Sequence, residues 1–186
     1  MRWWIVVLFL IYLSAASATT FLPQTLDDLD RQADYIIVGT VTNQNGLQEN
    51  KTISTQTAIA VEEWVRGSSI GDTVVVKELG GIIGDVMMVV PGSPHFEQRE
   101  RVVLFMKEDS PARWRHRIAY GHTVGMAQGK FSLETDEQGK EMLINDLGGA
   151  HLLIGEKQKP ISLAAFRAQF KQSFLAQLLS WLKVVM

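Results

Sequence analysis

The chain has no cysteine among its 186 residues. This absence excludes disulfide bonds, thiolate ligands for a structural zinc ion or an iron–sulfur cluster, and a lipid anchor attached through a thiol. A folded domain without these links has to be held together by its hydrophobic core alone. The composition therefore fits a bacterial envelope or secreted protein better than an animal extracellular one.

An N-terminal apolar run long enough to cross a bilayer is also missing, since a membrane-spanning helix needs about 20 residues. The run Trp3–Leu13 follows one positive charge, Arg2, and precedes the small residues Ser14–Ala18. This order predicts a secretory signal peptide over residues 1–18, cleaved after about Ala18. An uncleaved anchor and a buried N-terminal helix are the alternatives. We expect the mature protein to be secreted or periplasmic.

The chain has no large excess of charge of either sign. Without Arg2, which is the single charged residue of the predicted signal peptide, 17 of the 18 basic residues remain and face 20 acidic ones. Such a near balance provides no general field that attracts nucleic acid, so we expect no nucleic-acid partner. The length of the mature chain is typical of one domain with a substantial core.

Motifs for catalysis and for cofactor binding are missing as well. Gly67–Gly71 matches the G-x-S-x-G pattern of serine hydrolases, but a predicted strand follows it where a nucleophile elbow needs a helix. Gly125–Lys130 is too short between its glycines for a phosphate-binding loop. The four histidines are scattered, and no two of them have the spacing of zinc ligands on a helix. The sequence therefore predicts no catalytic residue, no metal site, no cofactor and no enzymatic activity.

Helix and strand patterns fill the first half of the chain. Thr25–Ala33 predicts a short helix with Thr25 as its N-cap and acidic residues in its first turn. The β-branched run Tyr35–Thr42 predicts a strand with both faces buried, and Asn43–Asn50 predicts a polar turn after it. The alternation over Thr52–Val65 predicts a long strand of the kind that bends around a barrel.

The second half predicts further strands and a final helix. Thr73–Leu79 and Arg101–Met106 are β-branched or apolar runs, and Lys130–Ile144 contains two strands joined by a glycine-bearing loop. From Ser162, a predicted N-cap, apolar residues recur on one helical face towards the end of the chain. This helix either packs on the barrel or binds a membrane surface through residues 166–186.

Two segments together resemble a known family. Ala33-Asp34 leads into the apolar run Ile36–Val41, and the stretch Val61–Gly67 ends in an Arg-Gly turn. This resembles the start of the TIMP/netrin-type OB-fold, in which Ala-Asp precedes the first strand and a long second strand ends in Lys-Gly or Arg-Gly. The resemblance implies a mainly β fold: an OB-like five- to six-stranded antiparallel barrel, here with a short N-terminal helix and a C-terminal amphipathic helix.

The middle of the chain also resembles a group of short secreted bacterial proteins of uncharacterised role. Gly80-Gly81, Val90–Phe96, Glu100 and Val102–Met106 match their Gly-Gly segment, VPG-x-P-x-F stretch, glutamate and apolar strand. The resemblance covers roughly residues 33–145. TIMP-type inhibitors bind the zinc ion of a protease through an N-terminal cysteine, which this chain lacks, so that mechanism is not implied.

These observations predict a signal peptide (1–18), an OB-like barrel domain (19–159) and a C-terminal amphipathic helix (160–186) packed on the barrel or appended to it. We expect a non-enzymatic binding module whose partner is a protein of the envelope or the extracellular space, such as a secreted protease. Binding is predicted for a glycine- and proline-rich loop whose apolar side chains are costly to leave in water. The predicted binding residues are Gly80, Gly81, Ile82, Ile83, Val86, Met87, Pro91, Pro94 and Phe96.

Two alternatives belong to other classes of function. One is an envelope hydrolase whose site is assembled from residues distant in sequence, with Glu62, His95, Glu100 and His122 as its candidates. The other is a structural protein held at a membrane surface by the C-terminal helix.

Overall fold

The computed structural model describes residues 20–67, 71–109, 118–152 and 158–170. The predicted signal peptide, its cleavage point and the apolar helical face beyond residue 170 lie outside these residues. Within them, one large sheet and two small sheets surround a core covered by two α-helices. The prediction of a mainly β protein is therefore confirmed.

The first half of the chain contains helix α1 (Leu26–Gln32) and six strands. The strands are β1 (Thr20–Phe21), β2 (Tyr35–Glu49), β3 (Thr52–Arg66), β4 (Thr73–Leu79), β5 (Gly81–Ile83) and β6 (Val86–Met88). The second half contains β7 (Arg101–Glu108), β8 (Ile118–Thr123), a 3-10 helix (Met126–Gly129), β9 (Lys130–Thr135), β10 (Glu141–Ile144), β11 (His151–Leu152), β12 (Ile161–Ser162) and helix α2 at residues 163–170.

The large sheet has the strand order β12-β10-β9-β7-β2-β3-β4-β8, and β8 pairs additionally with β7. Strands β4 and β8 run parallel, from the pair Thr73 and Ile118 to the pair Val76 and Gly121. The prediction of an all-antiparallel sheet is wrong at this pair. Parallel strands need a crossover connection. Here the chain leaves β4, passes through β7 elsewhere in the sheet, and returns beside β4 as β8.

Helix α1 begins where the sequence predicts. The Thr25 side chain accepts a hydrogen bond from Asp28 N, and the Asp28 carboxylate accepts one from Thr25 N. This reciprocal pair satisfies two of the backbone N–H groups that a helix N-terminus leaves without partners. Leu29 then faces the core and is fully buried. The cap and the apolar face together hold the helix against the sheet.

Strand β2 is longer than its sequence predicts. Residues 43–49 continue the antiparallel ladder with β3, and the turn is at Asn50, which has a φ of 57°. The prediction of a turn over Asn43–Asn50 is therefore wrong. A Cβ atom at Gly46 would lie 2.6 Å from Ile82 O. This glycine marks a place where another part of the backbone approaches the strand closely, which is a regular use of glycine within strands.

The apolar run of β2 is buried on both faces, as predicted. Ile36 and Val38 face a cluster that we call the helix-side cluster, because both helices pack on it. Ile37 and Val41 face a second cluster, which we call the interior cluster and to which β2, β3, β4, β7 and β8 contribute side chains. The helix-side cluster also contains Leu29, Val103, Phe105, Phe131, Leu143, Leu163, Phe166 and Phe170. The interior cluster also contains Tyr35, Ile59, Val74, Val76, Phe96, Val102, Leu104, Met106 and Ala119.

Helix α2 packs on the sheet over its described length. Ser162 Oγ accepts a hydrogen bond from Ala165 N at 3.2 Å, so Ser162 caps the helix as predicted. Phe166 and Phe170 are buried, and their rings lie 6.0 and 5.8 Å from the Phe105 ring in edge-on arrangements. No helix in the described part of the chain is long and apolar enough to cross a membrane.

Candidate functional site

An open cleft of about 630 Å³ lies between the β5–β6 hairpin and strands β2, β3 and β4. A loop that runs from Met88 to Phe96 and a second loop at residues 146–149 complete its walls. The volume is in the range of sites that hold a small molecule or several side chains of a partner. Its lining combines a polar floor with an apolar wall.

The polar floor follows from the alternation of side chains along two paired strands. On β4, Val74 and Val76 face the interior cluster and are fully buried, so Glu78, two residues further, faces the same way. On β3, Thr55 pairs with Glu78, and Thr57 pairs with Val76. The interior of the sheet thus changes from aliphatic to polar side chains where it meets the cleft.

Glu78 is the charged group of the floor. Its Oε1 atom accepts a hydrogen bond of 2.6 Å from Thr123 N at the end of β8. Burial raises the pKa of the Glu78 carboxyl above its ordinary value of 4.5, although the hydrogen bond from Thr123 and the nearby His122 oppose this shift. His122 Nδ1 lies 2.6 Å from Asp109 Oδ1. Glu78 takes part in no ion pair among the described residues.

The apolar wall is the β5–β6 hairpin. Ile83 and Val86 form its last pair, and the positive φ of Gly84, 56°, suits a two-residue turn whose first central position is glycine. Ile82 and Met87 form the next pair, and they are 60% and 63% exposed. Six large apolar side chains are exposed among the described residues, and five belong to this region. These five are Leu79, Ile82, Val86, Met87 and Val89.

The root of the hairpin is fixed by hydrogen bonds although its tip is exposed. Gly80 N donates to Ile53 O at 2.8 Å, and Thr55 Oγ1 donates to Gly80 O at 2.8 Å. Ser93 Oγ donates to Leu79 O at 2.6 Å. The exposed apolar side chains are therefore presented on an anchored element, which limits the conformational entropy that binding would cost.

The loop from Met88 to Phe96 closes the cleft on another side. Phe96 is buried in the interior cluster, and its carbonyl oxygen accepts a hydrogen bond of 2.8 Å from Gln44 Nε2. Gly92 N donates to Gly148 O at 2.9 Å, which joins this loop to the one at residues 146–149. His95 is exposed at the mouth of the cleft.

The structure places most of the predicted binding residues around this cleft. Three of them, Ile83, Val86 and Pro91, are outside its lining, although Val86 is exposed at the tip of the hairpin. Those in the lining are Gly80, Gly81, Ile82, Met87, Pro94 and Phe96. Sequence reasoning missed six polar lining residues, which are Gln44, Thr55, Thr57, Glu78, Ser93 and Asp146. The alternation along Thr73–Leu79 was the signal that could have identified Glu78.

The four residues of the hydrolase alternative have separate surroundings. Of these four, only His95 lines the cleft. Glu62 pairs with Arg101, Glu100 pairs with Lys130, and His122 pairs with Asp109. Nor do the described residues contain a group of three His, Asp or Glu side chains placed to hold a metal ion.

No family model, curated protein or solved structure matches the chain. The function of the protein is therefore inferred from the geometry of the cleft.

Proposed function

We propose that the protein is a secreted or periplasmic, non-enzymatic binding module that binds another protein through the β5–β6 hairpin and the cleft beside it. The observation that carries this proposal is the concentration of exposed apolar side chains between Leu79 and Val89. Contiguous apolar surface on a soluble domain commonly marks a site of interaction. Burial of the exposed part of such a side chain in an interface favours binding, with an upper bound of about 1.5–3 kcal/mol for a fully exposed one.

The way in which the hairpin is built supports the same function. Its root is held by one hydrogen bond that Gly80 N donates to Ile53 O and by another that the Thr55 hydroxyl donates to Gly80 O, whereas Ile82 and Met87 make an exposed cross-strand pair. A flexible apolar loop could fold back on the domain and bury these side chains. An anchored hairpin keeps them available, and binding then loses little conformational freedom.

We infer that the domain has an OB-like fold, as the TIMP/netrin resemblance implies. The support is the order of strand pairing, in which β2 pairs with β3, β3 with β4, β4 with β8, β8 with β7, and β7 with β2. Five strands linked in such a circuit are typical of the small barrels that bind ligands through loops and one sheet face. A solution structure of the mature chain tests this fold.

Partner capture tests the proposed function. The mature chain from Thr19 is immobilised and exposed to the secreted and envelope fraction of its source, and bound proteins are identified by mass spectrometry. We expect that the wild-type chain reproducibly captures one protein. Recovery of that protein should fall at least tenfold when the immobilised chain carries both Ile82→Ser and Met87→Ser. These side chains are exposed, so the variant should keep its stability within about 0.5 kcal/mol.

A matched control uses Leu22→Ser, because Leu22 is 69% exposed and lies outside the lining of the cleft. It should leave the capture unchanged. Equal recovery by the wild-type chain and the hairpin variant, with both folded, would contradict the proposal. Loss of capture with Leu22→Ser as well would indicate general adhesion of apolar surface rather than a specific site.

A further inference from the structure

The charged groups that line the cleft are of one sign. The described part of its lining contains the carboxylates of Glu78 and Asp146 and the imidazole of His95, but neither a lysine nor an arginine. Its remaining side chains are apolar or uncharged. A partner that enters this cleft therefore meets negative charge beside an apolar wall.

Glu78 differs from the other largely buried carboxylates of the described residues. Glu100 is paired with Lys130, Asp30 with Arg66, and Glu63 with Arg167. Glu78 instead accepts a hydrogen bond from the Thr123 N–H, and among the described residues neither a lysine nor an arginine pairs with it; the nearby basic group is the imidazole of His122, which already lies 2.6 Å from Asp109. A carboxylate removed from water without a cation is unfavourable, and an arriving ammonium or guanidinium group relieves that cost.

The apolar wall determines what else the partner presents. Ile82, Met87 and Val89 border the cleft, so the residues beside the cation should be apolar. Within the described residues β6 pairs with β5 alone, and these two strands form a separate sheet. A strand whose edge is not paired with another strand can bind an extended segment through backbone hydrogen bonds. The opening is also large enough for several side chains.

We propose that the cleft binds an extended, apolar segment of a partner protein and that a lysine or arginine side chain of this segment pairs with the Glu78 carboxylate. This inference rests on the proposed function and names the chemistry of the partner. The apolar wall contributes affinity, and the buried carboxylate selects segments that carry a basic residue.

Selection from a phage library of random heptapeptides tests the inference. The library is selected in parallel on the mature wild-type chain and on the Glu78→Gln variant. We expect wild-type binders to combine apolar residues with one lysine or arginine, and binders of the variant to keep the apolar residues without that enrichment. A synthetic wild-type binder should lose at least tenfold in affinity when its basic residue is replaced by norleucine, and this loss should vanish on Glu78→Gln.

The control variant is Glu137→Gln, which removes the same charge from an exposed loop outside the lining of the cleft. It should keep the preference for basic peptides. Three outcomes would overturn the inference. They are equal enrichment of basic residues on all three proteins, wild-type binders that are apolar but lack a basic residue, and the absence of any binder whose affinity depends on Ile82 and Met87. Capture of a partner through the hairpin would still stand in those cases, so the two proposals fail separately.

Discussion

The carboxylate of Glu78 accepts a hydrogen bond of 2.6 Å from the backbone N–H of Thr123. The ladder between β4 and β8 has its last pair at Val76 and Gly121, two residues earlier on each strand. The Glu78 side chain thus continues the connection between the two strands beyond the end of their pairing. It does so as a largely buried carboxylate, which makes the stability of this region dependent on pH.

Replacement of Glu78 by glutamine should stabilise the protein at neutral pH. Burial raises the pKa of this carboxyl, so the folded state binds the proton more tightly than the unfolded state does. The stabilising contribution of the protonated group is complete below the unfolded pKa and is lost as the pH rises through the folded pKa. Glutamine removes this loss and keeps an oxygen for Thr123 N. We therefore expect a higher free energy of unfolding for Glu78→Gln than for the wild-type chain at pH 7.

Urea unfolding of both proteins between pH 4 and 8 measures this effect. The difference in free energy of unfolding should shrink as the pH falls, because the wild-type carboxyl then becomes protonated. His122 and Asp109 are the other titratable groups that act on Glu78. The same comparison, with and without Glu78→Gln, is therefore repeated with proteins that also carry Asp109→Asn. A difference that stays constant over the whole pH range would contradict the assignment of this dependence to Glu78.

Phe166 is one of the residues that attach helix α2 to the sheet, and we expect its truncation to destabilise the protein. Its ring is fully buried and lies 6.0 Å from Phe105 and 4.5 Å from Phe170. Phe166→Ala should lower the free energy of unfolding by about 3–5 kcal/mol, the usual range for phenylalanine in a core. Ala165→Ser, at an exposed neighbouring position, should change it by less than about 0.5 kcal/mol. Similar unfolding curves for the two variants would argue against packing of this helix.

The ion pair of Lys130 and Glu100 should behave as a buried structural pair. Their side chains are 6% and 14% exposed, and Lys130 Nζ also lies 3.0 Å from Ser132 Oγ and 5.6 Å from the centre of the Phe96 ring. Lys130→Met leaves the carboxylate without its cation, and we expect a loss of about 3–5 kcal/mol in stability. Chemical denaturation at pH 7 gives this value.

A double-mutant cycle separates the pair from its parts. The combination of Lys130→Met with Glu100→Gln should recover part of the stability lost in Lys130→Met alone, because the unpaired charge is then removed. Strictly additive losses would show that Lys130 and Glu100 are not coupled. The result also tests Glu100 as a candidate hydrolase residue. Strong coupling to Lys130 would explain why Glu100 is buried through a structural role, with no need for a catalytic one.

Local patterns in the sequence predicted the elements whose causes are local. The Thr25 cap, the apolar run that starts at Tyr35 and the alternation along Thr52–Val65 each predicted an element that the structure contains. Asn43–Asn50 was predicted as a turn because its side chains are polar. Residues 43–49 form a strand because their backbone pairs with β3, and the turn begins only at Asn50. Such pairing leaves no signal in side-chain hydropathy when the outer surface faces water.

The sequence by itself determined the mainly β character of the protein, the cap of α1 and the apolar content of the Gly80–Phe96 segment, since these depend on neighbours along the chain. The tertiary structure decided that β8 lies parallel to β4, that Gly46 lets the hairpin approach β2, and that Glu78 lines a cleft to which the described residues contribute no lysine or arginine. Each of these depends on which distant segments meet. Burial of the whole core determines which segments meet. The hydrophobic effect is non-directional, so a local sequence pattern does not specify contacts between residues that are distant in the chain.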